Sequence, residues 1–434
     1  MENGKRNSLN RHLKGLFALS PMAVLLLVYL LSSVLAGDFY GIPICVSFVV
    51  AAVYSIFVVP GKPFRERVGI FSAGAADSNI MYMVWIFVLA GIFAASAKAV
   101  GAVDATVALT LHLVPGRFLP AGIFVAACFI SMSVGTSVGT IVALAPVAAG
   151  LSEEMGVDLA LMISIVVGGA FFGDNLSFIS DTTIAATRAA GCEMHQKFKT
   201  NIQIILPAVI IVSVLYVVLG WNLQINRPDF ESVNPIKLLP YILVIVLALL
   251  RAHVVVVLIS GILLNAIIAF VYGDFTWVSW LVSIGGGISS MSELIIVTLL
   301  AGGLLEMIRH NGGLDFIIDR LTRRVNGRRG AQASIAALVS LANFCTANNT
   351  IAIITTGGIS SDIGRRFGIA PRKVASILDT FSCFIQGMLP YGAQLLMAAS
   401  LAQISSSSII PYLYYPFVMG FFAILSIIFD YPKK

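Results

Sequence analysis

Three aspartates, Asp174, Asp181 and Asp379, fall inside long apolar stretches of this 434-residue chain. At bilayer mid-depth a carboxylate costs about 2.5–3.5 kcal/mol on insertion scales, so one retained there marks a functional position by default. The chemistry open to it is capture of a small cation or a proton, either of which neutralises the charge. Asp174 stands beside Asn175 and Ser177, and Asp181 follows seven residues later, ahead of Thr182 and Thr183. If helix continued between the two, both carboxylates would share one face. Asp379 has Thr380 and Ser382 as near neighbours. The competing reading is structural, because an aspartate capping a half-helix N-terminus costs little and is common. That reading weighs most on Asp181, where a helical run begins just afterwards.

Two polar clusters supply neutral oxygens. The run Ser133-Val134-Gly135-Thr136-Ser137-Val138-Gly139-Thr140 offers the hydroxyls of Thr136, Ser137 and Thr140, and its glycines let carbonyls approach an ion. Asn348, Asn349 and Thr350 offer the same later in the chain. Transporters draw sodium ligands from unwound backbone and half-helix ends. Close helix packing would explain Gly135 and Gly139 alone, but eight consecutive small or polar residues beside a broken helix point to ion ligation. The candidate sodium and proton site is therefore Thr136, Ser137, Thr140, Asp174, Asn175, Ser177, Asp181, Thr182, Asn348, Asn349, Thr350 and Asp379, with Asp174 as leading binder. No cofactor is expected; sodium and protons are the transported or coupling ions. Burial disfavours an ionised carboxylate and a bound cation favours it, so one site can hold a proton in one orientation and sodium in the other.

The elements that must position these residues are apolar spans. Hydrophobic residues make up 58% of the chain and charged residues 11%, against about 25% charged in soluble proteins. The net charge of +6 does not indicate nucleic acid, because Lys and Arg cluster between apolar runs as in cytoplasmic loops. The spans run over residues 20–37, 42–59, 80–100, 119–151, 159–187 and 204–221, and again over 236–250, 253–272, 293–308, 331–359, 374–403 and 409–429. Six spans are followed by six of matching order. Residues 1–19 read as a cytoplasmic segment, 20–221 as a first repeat, 222–235 as a linker and 236–434 as a second repeat. Ala90-Gly91, Gly101 and Asp104 find partners at Ala301-Gly302, Gly312 and Asp315, an offset of 211 residues, and Thr136 and Thr140 find Thr346 and Thr350 at 210. Such internal symmetry is the mark of a transporter built by duplication.

The fourth span of each half is interrupted by a polar run. Arms of about 15 residues reach roughly 22 Å, short of a hydrocarbon core about 30 Å thick, so a re-entrant hairpin fits. The fifth spans break at Phe172-Gly173-Asp174-Asn175-Leu176-Ser177 and at Gln386-Gly387-Met388-Leu389-Pro390-Tyr391-Gly392; backbone unwound at that depth must be buried in protein or line a cavity. The expected fold is an all-α polytopic membrane protein of two inverted repeats. Each has five transmembrane helices, one re-entrant hairpin and a broken fifth span. With the N-terminus inside, 23 of the 27 Lys and Arg fall in cytoplasmic segments, among them Arg188, Lys197 and Lys199. This predicts a bacterial inner-membrane protein with both termini cytoplasmic. The stretch from Lys5 to Ala36 passes for a signal peptide, but it is read as a retained helix because its counterpart reappears in the second half. Asp104 and Asp315 read as caps, and Glu306 as the ion-pair partner of Arg309. The five cysteines form no CxxC pair, which argues against a disulfide framework or zinc site. No Walker A or HExxH motif occurs, so no enzyme activity is expected.

Gly168-Gly169-Ala170-Phe171-Phe172-Gly173-Asp174-Asn175-Leu176-Ser177, followed by Ser180-Asp181-Thr182-Thr183, resembles the signature of the NhaC-type sodium/proton antiporter family, which reads close to GAxxGDxxSPxSDTT. Gly135-Thr136-Ser137-Val138-Gly139-Thr140 is similar to that family's GTSxGT element, and Phe178 departs from it where the family often has Pro. The resemblance implies two inverted repeats in a homodimer. Hairpins and fifth spans would form a moving transport domain, and the first, second and sixth spans a scaffold embedded in membrane lipid. It also implies a second reading, because the family includes exchangers of organic acids and amino acids. Asn348, Asn349, Gln386, Tyr391 and Gln394 would then hydrogen-bond a small organic substrate, although no intramembrane Arg is available to clamp a carboxylate.

Overall fold

The computed structural model describes residues 2–36, 43–58, 62–177, 180–221, 234–250, 252–272, 275–322, 325 and 327–432. Most of the expected linker lies outside these residues, as does Phe178. Among the described residues the chain is all helix, with no strand. The first half comprises α1 (Glu2–Ala36), α2 (Ile44–Val58), α3 (Phe64–Ala75), α4 (Ser78–Ala99), α5 (Ala102–Leu113), α6 (Leu119–Val134), α7 (Ser137–Met155), α8 (Leu159–Leu176), α9 (Asp181–Ala190) and α10 (Met194–Gly220). The second comprises α11 (Leu239–Leu249), α12 (Val254–Tyr272), α13 (Trp277–Ser290), α14 (Ser292–His310), α15 (Gly313–Thr322), α16 (Gly327–Thr346), α17 (Asn349–Arg366), α18 (Pro371–Gln386), α19 (Ala393–Ala402), α20 (Ser406–Ile409) and α21 (Tyr414–Ile428). Among the described residues eight helical stretches are long and apolar enough to cross a membrane, or nine with the bent pair Ala393–Ala402 and Ser406–Tyr412. Ile44–Val58 and Tyr414–Ile428 are apolar but shorter.

Helix boundaries recur along the chain. α9 and α19 both span ten residues and start 212 positions apart (393 minus 181). α7 and α17 start at the same interval (349 minus 137). Contacts between the halves are reciprocal: α4 packs on α13 and α3 on α14, while α7 packs on α19 and α9 on α17. Two backbone-to-backbone crossings between the halves involve the glycines picked out by the 211-residue match. A Cβ at Gly91 would lie 2.2 Å from the Gly287 carbonyl oxygen, and one at Gly74 would lie 2.5 Å from that of Gly302. In lipid, where helix association rests on close packing, small residues at such crossings let backbones touch.

Four short helices, α3, α5, α13 and α15, were not expected from the apolar spans. Each is short, and α3 and α15 carry charges, so hydropathy reads them as connections. The N-terminal helix is also longer than the span assigned to it, running from Glu2 through Pro21.

Each fourth span folds back on itself. Gly168 packs against Phe124, Gly173 packs against Ser131, and Ser137 at the start of α7 meets Asp174 at the end of α8. α6 therefore runs parallel to α8, and α7 antiparallel to both. The break is only two residues wide. Gly135 takes φ 76°, and Thr136 is the extended N-cap of α7 with φ −143°. In the second half Ala347 (φ 49°) and Asn348 (φ −146°) repeat the turn. Thr136 thus corresponds to Asn348 rather than to Thr346, two residues beyond the match read from sequence. Because the break is narrow, the arms are longer than expected, at 16, 19, 20 and 18 residues.

Gly91→Leu or Gly302→Leu is expected to lower the unfolding midpoint in detergent by more than the about 1–3 kcal/mol of ordinary overpacking, because the obstacle is backbone. Gly285→Leu, with nothing within 4 Å of its Cβ position, is the comparison that should leave the midpoint unmoved.

Candidate functional site

The site forms where α8 stops. The first fifth-span break falls later than expected: α8 stays helical through Leu176, and the chain resumes as α9 at Asp181. Gly173 is explained by packing, since a Cβ there would lie 2.0 Å from Ser131 Oγ. The second break matches expectation, with α18 ending at Gln386 and α19 beginning at Ala393. Each linker ties to its own hairpin. Ser177 Oγ donates to the Met132 carbonyl at 2.7 Å, and Tyr391 OH donates to the Phe344 carbonyl at 2.8 Å.

Asp174 occupies the last turn of α8 and is 5% exposed. Its carboxylate accepts the Ser137 N–H at 2.9 Å and the Ser137 hydroxyl at 2.6 Å. It therefore caps the N-terminus of α7, where backbone N–H groups favour negative charge. Gln394 donates to Ser137 Oγ at 3.1 Å, and Gln386 donates to Gln394 Oε1 and to the Ala347 carbonyl, each at 2.9 Å. A chain of hydrogen bonds thus links the two hairpin turns through Gln386 and Gln394, and Ser137 carries it on to Asp174. Gln386 Oε1 is buried without a hydrogen-bond partner, leaving an oxygen of the kind a hard cation takes. Asp174 itself has lone pairs to spare, since an ionised carboxylate offers about four acceptor positions.

A second cluster adjoins the first. Asp379, in the middle of α18, is fully buried and ion-paired with Lys197 of α10, itself only 1% exposed. Lys197 also donates to the Asn175 carbonyl at 2.5 Å and to Thr183 Oγ1 at 2.7 Å. Asn201 Nδ2 donates to the Asn175 carbonyl at 3.1 Å, to Asn175 Oδ1 at 2.9 Å and to Asp379 at 3.3 Å. Asn175 Nδ2 donates to Thr380 Oγ1 at 3.2 Å. Thr182 Oγ1 donates to the Asp174 carbonyl at 2.8 Å. The last turn of α8 is thus met by hydroxyl, amide and ammonium donors, and a cation there also suits the negative end of the helix.

Of the twelve residues picked from sequence, Asp174, Asn175, Ser137, Thr182 and Asp379 converge, with Ser177 tying the break to the hairpin. Thr136 and Thr140 lie on the first turn of α7, where Thr140 bonds back to Thr136 O at 3.2 Å. Asn348 caps α17 by accepting the Ile351 N–H at 3.0 Å, and Asn349 is buried beside it and accepts the Thr350 N–H at 3.0 Å. Thr350 is half-buried. Asp181 is not with them: it is exposed, in the first turn of α9. Lys197 and Asn201 were missed. The basic run Arg188 to Lys199 had placed Lys197 in a cytoplasmic loop, whereas it sits on the buried face of α10 with Asn201, Ile204 and Ala208. That helical spacing was the signal available. As expected, Glu306 pairs with Arg309, at 3.8 Å. All five cysteines are free, and among the described residues no cluster of three His, Cys, Asp or Glu is placed to hold a metal.

The family model described as "Na+/H+ antiporter family" matches residues 8–221 and 232–431. The malate-2H(+)/Na(+)-lactate antiporter of Bacillus subtilis strain 168 is 25% identical over 82% of each chain. The Na(+)/H(+) antiporter NhaC of Alkalihalophilus pseudofirmus is 23% identical over 94% of each. NhaC of Bacillus subtilis is 22% identical over 95% of this chain and 98% of that one.

Asp379→Ala strands the buried Lys197 charge and is expected to cost about 3–5 kcal/mol of stability, whereas replacing both partners by apolar residues recovers most of it. Unfolding midpoints in detergent check this. Asp181→Asn, at an exposed position, should stay within about 0.5 kcal/mol of the parent.

Proposed function

Since the chain belongs to the Na+/H+ antiporter family, a family of transporters and not of enzymes, we propose that it exchanges sodium for protons by alternating access across the bacterial inner membrane. The observation that carries this is Asp174. It is a buried carboxylate at the end of a broken helix, held by two neutral donors from a hairpin turn, with no ammonium or guanidinium in ion-pair distance among the described residues. A proton or a sodium ion neutralises it, and the two compete for the same oxygens. Sodium finds further oxygen at Gln386 Oε1 and at the Ser137 hydroxyl. An occupied site is neutral and can change sides; an empty one carries a charge that resists the crossing.

Two inverted repeats supply the movement. The 212-residue recurrence of helix boundaries and the reciprocal contacts between halves support a two-fold relation. An odd number of crossings per half, five with each hairpin counted as none, would make that relation an inversion with both termini on one side, and the clustering of Lys and Arg favours the cytoplasmic side. The hairpins α6–α7 and α16–α17 together with α8, α9, α18 and α19 would form the moving unit, and the outer helices a homodimer scaffold in lipid.

A second reading keeps the same site and adds a small organic acid as cargo. It is favoured by the relative that exchanges malate and lactate and by the amide pair Gln386 and Gln394 beside Asp174.

In everted membrane vesicles with an imposed pH gradient, sodium should collapse the gradient without any organic solute. Asp174→Asn should abolish the response while the protein still inserts and keeps its unfolding midpoint. A gradient that collapses only when malate, lactate or an amino acid is added would establish the second reading instead.

A further inference from the structure

The exchange reading uses Asp174 and leaves the Lys197–Asp379 pair without a role. An ammonium has three N–H donors. All three of those on Lys197 are taken, by Asp379, by the Asn175 carbonyl at 2.5 Å and by Thr183 Oγ1 at 2.7 Å. Asp379 is likewise occupied: besides Lys197 it accepts from Asn201 at 3.3 Å and from the Cys383 thiol at 3.8 Å. The pair ties α10 to α18 and to the end of α8, so it joins both repeats at the site. It has no copy by repeat. The positions 212 residues away are Ile409 for Lys197 (409 minus 197) and Val167 for Asp379 (379 minus 167). The pair is therefore an addition to a duplicated frame, and duplication of the fold does not require it.

We infer that Lys197 is a built-in counter-ion of Asp379, which leaves Asp174 as the one uncompensated charge of the site and fixes exchange at one sodium for one proton with no net charge moved. With Asp174 ionised, the three groups sum to minus one; with a proton or a sodium ion on Asp174, they sum to zero. Each crossing then carries one cation on a neutral site, and an outward sodium is balanced by an inward proton. Lys197 is a positioning residue here: it touches no transported ion and sets how many the site takes. The same count makes Asp379 a partner of Lys197 rather than the sodium ligand expected from sequence. It also separates the two single variants. Asp379→Asn makes the empty site neutral and the loaded site positive, so the empty site crosses, the sodium-loaded one does not, and exchange is lost. Lys197→Gln makes the empty site doubly negative, so a crossing demands a second proton. Lys197→Gln with Asp379→Asn restores a site of charge minus one.

The inference rests on the exchange reading, and proteoliposomes carrying the purified full chain test the two separately. Sodium flux is driven by a pH gradient, with the membrane potential set independently by a potassium gradient and an ionophore. The wild-type sodium distribution should follow the pH gradient and ignore the potential. One net charge moved per cycle would instead shift that distribution about 50-fold per 100 mV, and such a shift overturns the inference while leaving sodium–proton exchange standing. No sodium-dependent proton movement at all overturns the exchange reading and the inference with it. The double variant should keep one-for-one, potential-independent coupling, whatever its turnover. Asp379→Asn should lose sodium-dependent proton movement; tightly coupled exchange in that variant counts against the role of Lys197. If single variants fail to insert, the wild-type potential dependence and the coupling of the double variant still decide.

Discussion

A helix that stops inside an apolar medium leaves carbonyl oxygens without water to bond. In a chain this apolar, each must find a donor in the protein. α8 stops at Leu176, and its last turn is answered by three donors: Thr182 from the following helix, and Lys197 and Asn201 from α10. The rest of the site follows from that requirement. The donors that satisfy the carbonyls also hold Asp379, the hairpin supplies Ser137 to hold Asp174, and the linker hydroxyl of Ser177 pins the break to α6. The turn of one repeat and the broken end of the next helix are therefore a single polar unit, assembled because neither satisfies itself.

The turns and helix boundaries recur but the chemistry does not. The turn at Gly135–Thr136 is repeated at Ala347–Asn348, and even the carbonyls that receive the linker side chains correspond, Met132 with Phe344. At the acidic position, however, Asp174 is matched by Gln386, 212 residues on (386 minus 174), and Ser137 by Asn349 (349 minus 137). One repeat contributes the charge and the other a neutral amide whose donors reach back to it. Two carboxylates on a symmetric pair of ends would repel across the buried centre; replacing one by an amide keeps the hydrogen-bond chain and removes that repulsion.

Glycine placement shows how much of the frame was visible along the chain. Ala90-Gly91 and Ala301-Gly302 matched by sequence, and both glycines lie at backbone crossings with the opposite half, against Gly287 and Gly74. The partners themselves were hidden in α13 and α3, helices too short and too mixed in polarity to stand out by hydropathy. Lys197 was hidden for a different reason. A lysine three residues into a basic helix start looks solvated, and only its helical register with Asn201 and Ile204 puts it on the buried face.

Composition and patterning alone determined that the chain is helical, that it spans a membrane, that several of its motifs recur about 211 residues on and that Asp174 belongs to a polar interruption. All of these are properties of short windows, read as hydropathy, spacing or self-similarity. Tertiary structure decided which polar groups meet. It brought Ser137 to Asp174 across 37 positions and Lys197 to Asp379 across the junction of the halves. It sent Asp181 to the surface and drew the break at Ser177 instead of Phe172. Those outcomes depend on how helices far apart in the chain satisfy each other's buried polar atoms, and no local window contains both partners of such a bond.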